Sequence, residues 1–411
     1  VDISAPKFFV KVTREGSTKG TRVGVDVDAL ITELKFDDAE KTHKLHLKVD
    51  NRDLRHFDSP IFKQGDIIQF SFGYSSDMSP PREAVVTKVT GDLVLSVEAL
   101  GKEYLMNKEL RVRRFENVKR SDVAAAIAKE QGYGASDTYI EDTKIMHPVI
   151  LQARMSDYQL LRQLAQKEGF EVYTDATGFH FHKRDLKQRP QLTFTYYKAK
   201  PEEPRVGMLL SFPKIDIDVT GKPAAVTAVG RDPLKKKNFE ARGDKNSTAG
   251  ETTLASVVEL VDAKTGSTSM ESRKASEATV ASTATTKEDA QRQANGAYSK
   301  AQMAAVKFKV PAVGNPYCMA KSVVKMDGIG KRLNGNYFLA AVSHTITTSG
   351  YKMELDCRRN GTNAGASSGA SPAKPPGPNG PQNTETPKAP GELRAYEVVD
   401  EKNGATRVEY R

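Results

Sequence analysis

Long apolar runs are missing from this sequence of 411 residues. No stretch approaches the eighteen or so consecutive apolar residues that a helix needs to cross a bilayer, so no membrane span is expected. Cysteine is almost missing too. Cys318 and Cys357 are the only two, which argues against a disulfide-stapled extracellular module and suits assembly in a reducing cytoplasm. Val1 to Pro6 carry neither a basic n-region nor an apolar h-region, so no secretory signal is expected, and position 1 is read as following a removed initiator Met.

The usual marks of catalysis are missing as well. The chain has no G-x-S-x-G elbow and no H-E-x-x-H pair, and Gly328-Ile329-Gly330 lacks the rest of a phosphate-cradling loop and reads as a turn. Asp37-Asp38, Glu141-Asp142 and Glu202-Glu203 are carboxylates adjacent in sequence. Acid/base pairs come from separate elements that face one cleft, so these six read as turn or solvent residues. His180 and His182 alternate along a strand and point to one face, as two metal ligands would, but no third ligand stands at a convincing spacing. The plainer expectation is a hairpin that buries Phe179 and Phe181 and exposes its His face. Arg242-Gly243-Asp244 matches an adhesion tripeptide of a kind that recurs by chance, and it is expected in a loop. These absences predict a protein that is not an enzyme, with no catalytic residue, no cofactor and no metal.

Charge is plentiful and dispersed. The net charge is +10, but basic clusters such as Lys235-Lys236-Lys237 and Arg111 to Arg114 are short, and no nucleic-acid module surrounds them. They read as a solvated surface.

The hydrophobic residues that are present fall in short alternating runs. Leu45, Leu47 and Val49 alternate with Lys44, His46 and Lys48. Ile68, Phe70, Phe72 and Tyr74 repeat that period, and Val85 to Val89 meets Leu93 to Val97 through Gly91-Asp92. Residues 1–103 are therefore expected to form a first tube-like antiparallel β-barrel or sandwich. Residues 104–200 change pattern. A helix is expected from Ser121, side-chain capped and ending at Gly132. A second begins at Ser156 with Gln159 in a capping box, carries Leu160, Leu161, Leu164 and Ala165 on its apolar stripe, and ends at Gly169. With a hairpin around Asp175 to Gly178, this is a small inserted α/β domain.

A second tube-like β-domain is expected over 201–360, with a flexible insertion at about 242–286 and a helix from Lys287 to about Val306. Its clearest strands are Tyr337 to Thr348 and Tyr351 to Arg358, on either side of Ser349-Gly350. Residues 361–391 are a Gly/Pro/Ser/Ala linker. A β-hairpin arm at 392–411 turns at Asn403-Gly404. An isolated hairpin is marginal in water, so Tyr396, Val398, Val399, Val408 and Tyr410 are the candidate partner-docking residues. The expected fold class is thus mainly β with an α+β insertion.

Several stretches resemble the phage late control D proteins and related baseplate hubs, whose relatives include the hub part of type VI secretion spikes. They are Leu30 to Asp37, Lys44 to Asp50, Pro60 to Asp66 and Phe72-Gly73-Tyr74, then Ser156 to Ala165, and finally Leu333 to Phe338, Val342-Ser343-His344 and Gly350 to Leu355. The resemblance spans roughly residues 25 to 360. It implies a structural hub subunit of a contractile phage tail, a homotrimer whose two tube-like barrels per chain make a pseudo-sixfold ring. The implied partners are a central spike below, a tail tube or tube-initiator protein above, the tape-measure protein and other baseplate proteins. Genomic DNA would pass through the lumen without sequence-specific binding. The implied place is the virion baseplate, assembled in the host bacterial cytoplasm. Nothing after residue 360 is long enough for a fused spike, so a separate spike chain follows. The alternatives are a hub of a non-phage contractile injection system, or a tail-associated peptidoglycan-binding or wall-degrading protein working through residues 104 to 200.

Overall fold

A computed structural model of the chain describes residues 5–15, 22–40, 42–58, 61–75, 77–196, 206–217, 223–232, 235–248, 253–255, 260–261, 268–269, 277–282, 284–303, 305–363, 395–399 and 406–410. The chain divides into two units, Val1–Ala366 and Ser367–Arg411. Mainly β in content, it carries five helices among the described residues.

The first unit opens with eight strands: β1 (Pro6–Glu15), β2 (Arg22–Asp26), β3 (Ile31–Ala39), β4 (His43–Asp50), β5 (Ile67–Tyr74), β6 (Asp77–Met78), β7 (Arg82–Gly91) and β8 (Val94–Gly101). A single helical turn, α1 (Arg55–Asp58), links β4 towards β5. Alternation decides which face is buried. In β4, His43, Leu45, Leu47 and Val49 point inward while Lys44 and Lys48 stay in water, as a period of two requires. Leu34, Phe36, Leu45, Leu47, Phe70 and Phe72 are among the residues of this first core.

Then come α2 (Glu103–Asn107), β9 (Arg111–Lys119), α3 (Arg120–Glu130), β10 (Thr138–Ile140), β11 (Met146–Met155), α4 (Asp157–Glu168), β12 (Phe170–Thr174) and β13 (Phe179–Lys183). β9 and β11 form a two-stranded ribbon, and β10, β13 and β12 a three-stranded sheet. Val123, Ile127, Leu161, Leu164, Phe179 and Phe181 share this core. The capping box at α4 forms as expected: Gln159 N donates to Ser156 Oγ and Ser156 N to Gln159 Oε1, both at 3.1 Å. At α3 the expectation fails. The helix begins at Arg120, and its capping carboxylate is Asp122, which accepts from Lys119 N at 2.9 Å. Ser121 is buried and bonds to Thr143 instead.

The remaining chain supplies β14 (Thr193–Thr195), β15 (Val206–Met208), β16 (Asp216–Ile217), β17 (Ala225–Asp232), β18 (Lys237–Asp244), β19 (Leu260–Val261), β20 (Thr268–Ser269), β21 (Glu277–Ala281), α5 (Lys287–Gln302), β22 (Val306–Val313), β23 (Val323–Asp327), β24 (Gly335–Thr347) and β25 (Gly350–Arg359). Val306, placed at the end of a helix by the sequence reading, instead begins β22. β17, β18 and β21 make a separate three-stranded sheet, with Ala228, Ala241, Ala290 and Ala294 packed between it and α5. Such small residues allow close approach. A Cβ on Gly243 would lie 2.5 Å from the Ala294 backbone, so the Arg242-Gly243-Asp244 tripeptide is strand lying against a helix and not the expected loop. About half of the expected insertion at 242–286 lies outside the described residues; the described half carries the end of β18 and the strands β19, β20 and β21.

One fifteen-stranded sheet contains both tube-like units, its path running β15-β14-β23-β24-β3-β4-β8-β7-β5-β1-β2. β24 is the strand they share. Along one edge its start pairs with β23, Phe338 opposite Val323, and its end pairs with β3, from Ala341 opposite Ala39 to Thr347 opposite Glu33. Its other edge pairs with β25 throughout. A register shift between Leu339 and Ala341 falls where the partner changes, as a bulge re-aims a strand. Ile346 and Tyr351, late in the chain, complete the first core. Val310, Val324, Leu339, Val342 and Leu355 belong to the second.

The second unit described is a hairpin of β26 (Ala395–Val399) and β27 (Thr406–Tyr410), with Tyr396 opposite Glu409 and Val398 opposite Arg407. The expected linker at 361–391 lies outside the described residues except for its first three, of which Gly361 and Thr362 are buried, and the Asn403-Gly404 turn lies outside them too.

Because Ile346 is fully buried in a core built mostly by the first hundred residues, Ile346→Ala is expected to cost about 2–5 kcal/mol. Urea unfolding followed by Tyr fluorescence should show the first tube-like core destabilised, although the mutated strand begins in the second tube-like core.

Candidate functional site

The two tube-like units meet at a buried polar joint. Asp38, on β3, is 3% exposed. Its carboxylate accepts from Lys321 Nζ at 2.8 Å and Ala320 N at 3.0 Å, with His43 Nε2 3.0 Å away. The His43 amide donates to Glu103 Oε1 at 2.6 Å, and Thr174 Oγ1 donates to Glu103 Oε2 at 3.0 Å. Lys321 also lies over the Tyr173 ring at 4.8 Å. One chain of contacts therefore links β3, β4, α2, β12 and the segment before β23. Asp38 does not fit the solvent or turn role expected of it. Strand alternation puts it on the face of Leu34 and Phe36, so it turns inward and takes buried cations as partners. Burial works to raise its carboxyl, but Lys321 and His43, with Arg82 further off, hold it well below the usual carboxylate range.

A second polar knot joins α3, α4 and α5. Arg120 donates to Glu168 Oε1 at 2.7 Å and to both Asp289 oxygens at 2.7 and 2.8 Å. Arg292 donates to Glu168 Oε2 at 3.1 Å. The ligand-type atoms of His147, Glu168 and Asp289 lie within 4.8 Å of one another, a trio the sequence reading did not single out because its members come from three distant segments. Arg120 already stands between Glu168 and Asp289, so these two carboxylates are spent on an ion-pair network, while His147 Nε2 is buried beside it with no hydrogen-bond partner among the described residues. Burial lowers the His147 ring, and Arg120 lowers it further.

His180 and His182 do not form an exposed face. His180 is buried, stacked between Tyr173 at 4.5 Å and Tyr139 at 4.7 Å between ring centroids. Its Nε2 faces Asp175 Oδ1 at 3.1 Å and its Nδ1 faces His182 Nε2 at 3.3 Å. Burial raises the Asp175 carboxyl, yet the His180 ring and the Thr177 hydroxyl and amide together hold it well below its ordinary range. The pair is spent on fixing the β12–β13 turn. Phe179 and Phe181 are buried as expected. Glu141 and Asp142 lie at the surface, with Asp142 paired to Lys119, and Glu202-Glu203 lie outside the described residues. Gly328 and Gly330 have φ of +77° and +106° and form the expected turn.

Exposed apolar side chains fall on several surfaces: Leu110, Val112, Met146, Val149 and Leu151 on and beside the β9–β11 ribbon, and others near the two ends of the sheet path. Phe9 and Val25 are exposed at the β1–β2 end, and Met208, Leu210, Phe212 and Ile217 around β15 and β16 at the other. A sheet edge offers unpaired backbone groups as a template for another strand; β2 ends the path on one side, whereas at the other Leu209 bridges to Ala312 and Leu210 N donates to Pro311 O, so the chain after β15 is already paired with β22. The five docking candidates Tyr396, Val398, Val399, Val408 and Tyr410 fall on the C-terminal hairpin, apart from these edges in sequence.

Tube-like β units fused in one sheet, with a small α/β domain set between them in sequence, define a fold seen in phage tail proteins. The chain is similar to the tail protein from Neisseria meningitidis MC58, at 10% identity and a TM-score of 0.57, covering 86% of this chain and 97% of that one. It is equally similar to the 43 kDa tail protein of prophage MuSo2 from Shewanella oneidensis, at 12% identity and a TM-score of 0.58, covering 87% and 99%. A chain of the Francisella PdpA-VgrG complex aligns at 10% identity and a TM-score of 0.51, covering 98% of this chain and 57% of that one. None of the curated proteins compared with the chain matches it. The family model described as the Alg8 N-terminal domain matches residues 45–348, so by extent the chain belongs to that family. That description and the structural likenesses point in different directions. The likeness to the two tail proteins is one of fold, and it spans nearly the whole length of both.

Asp38→Ala should cost about 3–5 kcal/mol, because it strands Lys321 without its partner, and Asp38→Leu with Lys321→Met should recover much of the loss. A double-mutant cycle in urea checks this, and additive losses would contradict it. Burial holds the His344 ring down to about 3, whereas in the unfolded chain it titrates near 6.5. The unfolded state therefore takes up its proton first as pH falls. Stability should decline from about pH 6.5 to about pH 3, by up to about 1.4 kcal/mol per unit. His344→Gln should remove one proton's worth of that slope in urea titrations at stepped pH.

Proposed function

We propose that the chain is a structural baseplate hub subunit of a contractile phage tail. The observation that carries this reading is the sharing of β24, which fuses two tube-like units into one sheet with apolar side chains exposed near both ends of its path. Three copies joined end to end by a rotation that closes give six tube-like units in a ring. Each contact is heterologous: the β1–β2 end of one copy meets the β15–β16 end of the next, burying Phe9 and Val25 against a surface carrying Leu210 and Phe212. Such a ring matches a tail tube or tube-initiator protein above and a trimeric spike protein below, and the tape-measure protein and genomic DNA pass through its lumen without sequence-specific contacts. The reading assigns no catalytic residue and no cofactor. It places the protein in the virion baseplate after assembly in the host cytoplasm.

The hairpin arm, with Tyr396, Val398, Val399, Val408 and Tyr410, docks on a neighbouring baseplate component. The likeness to a chain of the Francisella complex favours one second reading, the same hub in a non-phage contractile injection system. Neighbouring genes for capsid and terminase separate the two. A peptidoglycan-binding or wall-degrading role for residues 104 to 200 predicts that the pure protein pellets with cell wall or releases soluble fragments from it.

Light scattering of the purified chain should give the mass of three copies, and with its spike the mass of three copies plus that of the spike. Val25→Asp or Leu210→Asp should yield well-folded monomers. Monomers of the unaltered chain in both conditions contradict the ring. Deleting residues 392–411 should leave trimers intact and weaken attachment of a neighbouring baseplate protein. Normal baseplates from the truncated chain would overturn the role given to the arm.

A further inference from the structure

β9 and β11 form a two-stranded ribbon whose outer edges are both open. Each pairs only with the other, and among the described residues no backbone group of β11 bonds to backbone outside the ribbon. One face is spent on the α/β core, where Ile150 packs with the partly buried Phe115. The other points away. Alternation places Val112, Arg114 and Glu116 there, opposite Ala153, Leu151 and Val149. Val112 is 76% exposed and Leu151 60%, with Leu110 and Met146 exposed at opposite ends of the ribbon. An apolar patch beside an open edge marks an interaction site.

The two edges are not equivalent. β9 carries Arg111, Arg113, Arg114, Glu116 and Lys119, and charged side chains blunt an edge against further pairing. β11 carries no Lys, Arg, Asp or Glu from Met146 to Ala153. Past Pro148, which lacks an N–H, the run 149–153 is therefore unguarded. It ends at Arg154, whose φ of +49° and the register shift around it break the ladder. Arg114 pairs with Glu116, and Arg111 and Arg113 share Glu109, Glu130 and Asp157. The exposed Arg154 side chain has no ion pair or hydrogen bond among the described residues.

What covers such a surface is limited by its size and by its backbone. The outer face measures about 30 Å by 10 Å, roughly 300 Å², well short of the about 800 Å² per partner that a stable interface between two copies needs. A lipid surface would leave the N–H and C=O groups of the edge without partners. An added strand meets both conditions: it pairs with the backbone of 149–153 and lays its own alternate side chains beside Val149 and Leu151. We propose that the open β11 edge and its apolar face bind an extended segment of another protein, with aliphatic residues at alternate positions and a carboxylate that meets Arg154. The site lies in the α/β domain and needs no ring.

The probe is a fluorescein-labelled peptide of alternating valine and threonine with a glutamate at each end, titrated with the full-length protein and read by anisotropy. Binding should saturate in the range of about 10–100 μM. Of two further peptides, methylated on the valine or on the threonine amides, at least one should bind about tenfold more weakly, because it cannot donate to the edge. Leu151→Asp, at an exposed position that leaves the fold intact, should cost about tenfold or more, with the mass by light scattering unchanged. Arg154→Asp, which keeps a residue tolerant of positive φ, should turn the preference to a peptide with lysine ends. The proposal fails if the peptide does not bind at about 1 mM, if both methylated peptides or the lysine-ended one bind the unaltered chain equally well, or if Leu151→Asp changes nothing. It fails too if Leu151→Asp lowers the oligomer mass, which makes the ribbon a contact between copies. Sedimentation of the unaltered chain, but not of that variant, with phosphatidylglycerol vesicles makes the ribbon a lipid surface and equally overturns the proposal. Val25→Asp, aimed at the ring, should leave peptide binding unchanged, so the two readings fail separately.

Discussion

Pairing between the second half of β24 and β3 is the contact on which the rest of the first unit's architecture depends. It joins residues about three hundred positions apart in sequence, Ser343 opposite Asp37 and Ile346 opposite Leu34. Closing so long a loop costs configurational entropy that only later burial offsets. The offset is visible in where the side chains go. Ile346 and Tyr351 enter the first core, while Leu339 and Val342 of the same strand stay in the second. Two cores that share one strand are coupled through it, since neither can lose that strand without exposing part of the other.

Polar groups reinforce that junction at a cost in stability that apolar packing would avoid. The Asp38, Lys321, His43 and Glu103 cluster is buried, and buried ion pairs rarely outperform well-packed hydrophobes of the same volume. What such a cluster supplies is register. A one-residue slip of β3 against β24 would carry Asp38 to the wet face and leave Lys321 without a carboxylate. The Arg120, Glu168 and Asp289 knot does the same for three helices, whose closest approach is set by a glycine pair. A Cβ on Gly169, at φ +72°, would come within 2.8 Å of Gly296.

Elements whose causes are local were legible from the residues. The α4 capping box, the alternation of β4 and the Phe face of β13 all follow from neighbours within a few positions. Elements whose causes are distant were not. Strand alternation puts Asp38 on the inward face with Leu34 and Phe36, but Lys321 and Ala320, which let a carboxylate stay buried there, lie about 280 positions away and leave no trace beside it. The same holds for His180, which is covered by Tyr139 and Tyr173 from separate strands. The sheet of β17, β18 and β21 under α5 is built from small residues with weak periodicity, so its closeness to α5 left little trace in hydrophobic pattern.

Amide hydrogen exchange through β24 tests the shared strand most directly. If that pairing holds the two units as one body, the amides of Val342 to Thr347 and of Leu34 to Asp38 exchange only through global unfolding, at one common rate that tracks overall stability. Exchange of these amides at the faster rate of a fraying edge, while the cores on either side stay protected, would mean that the units are joined by chain alone and that the shared strand is not their common frame.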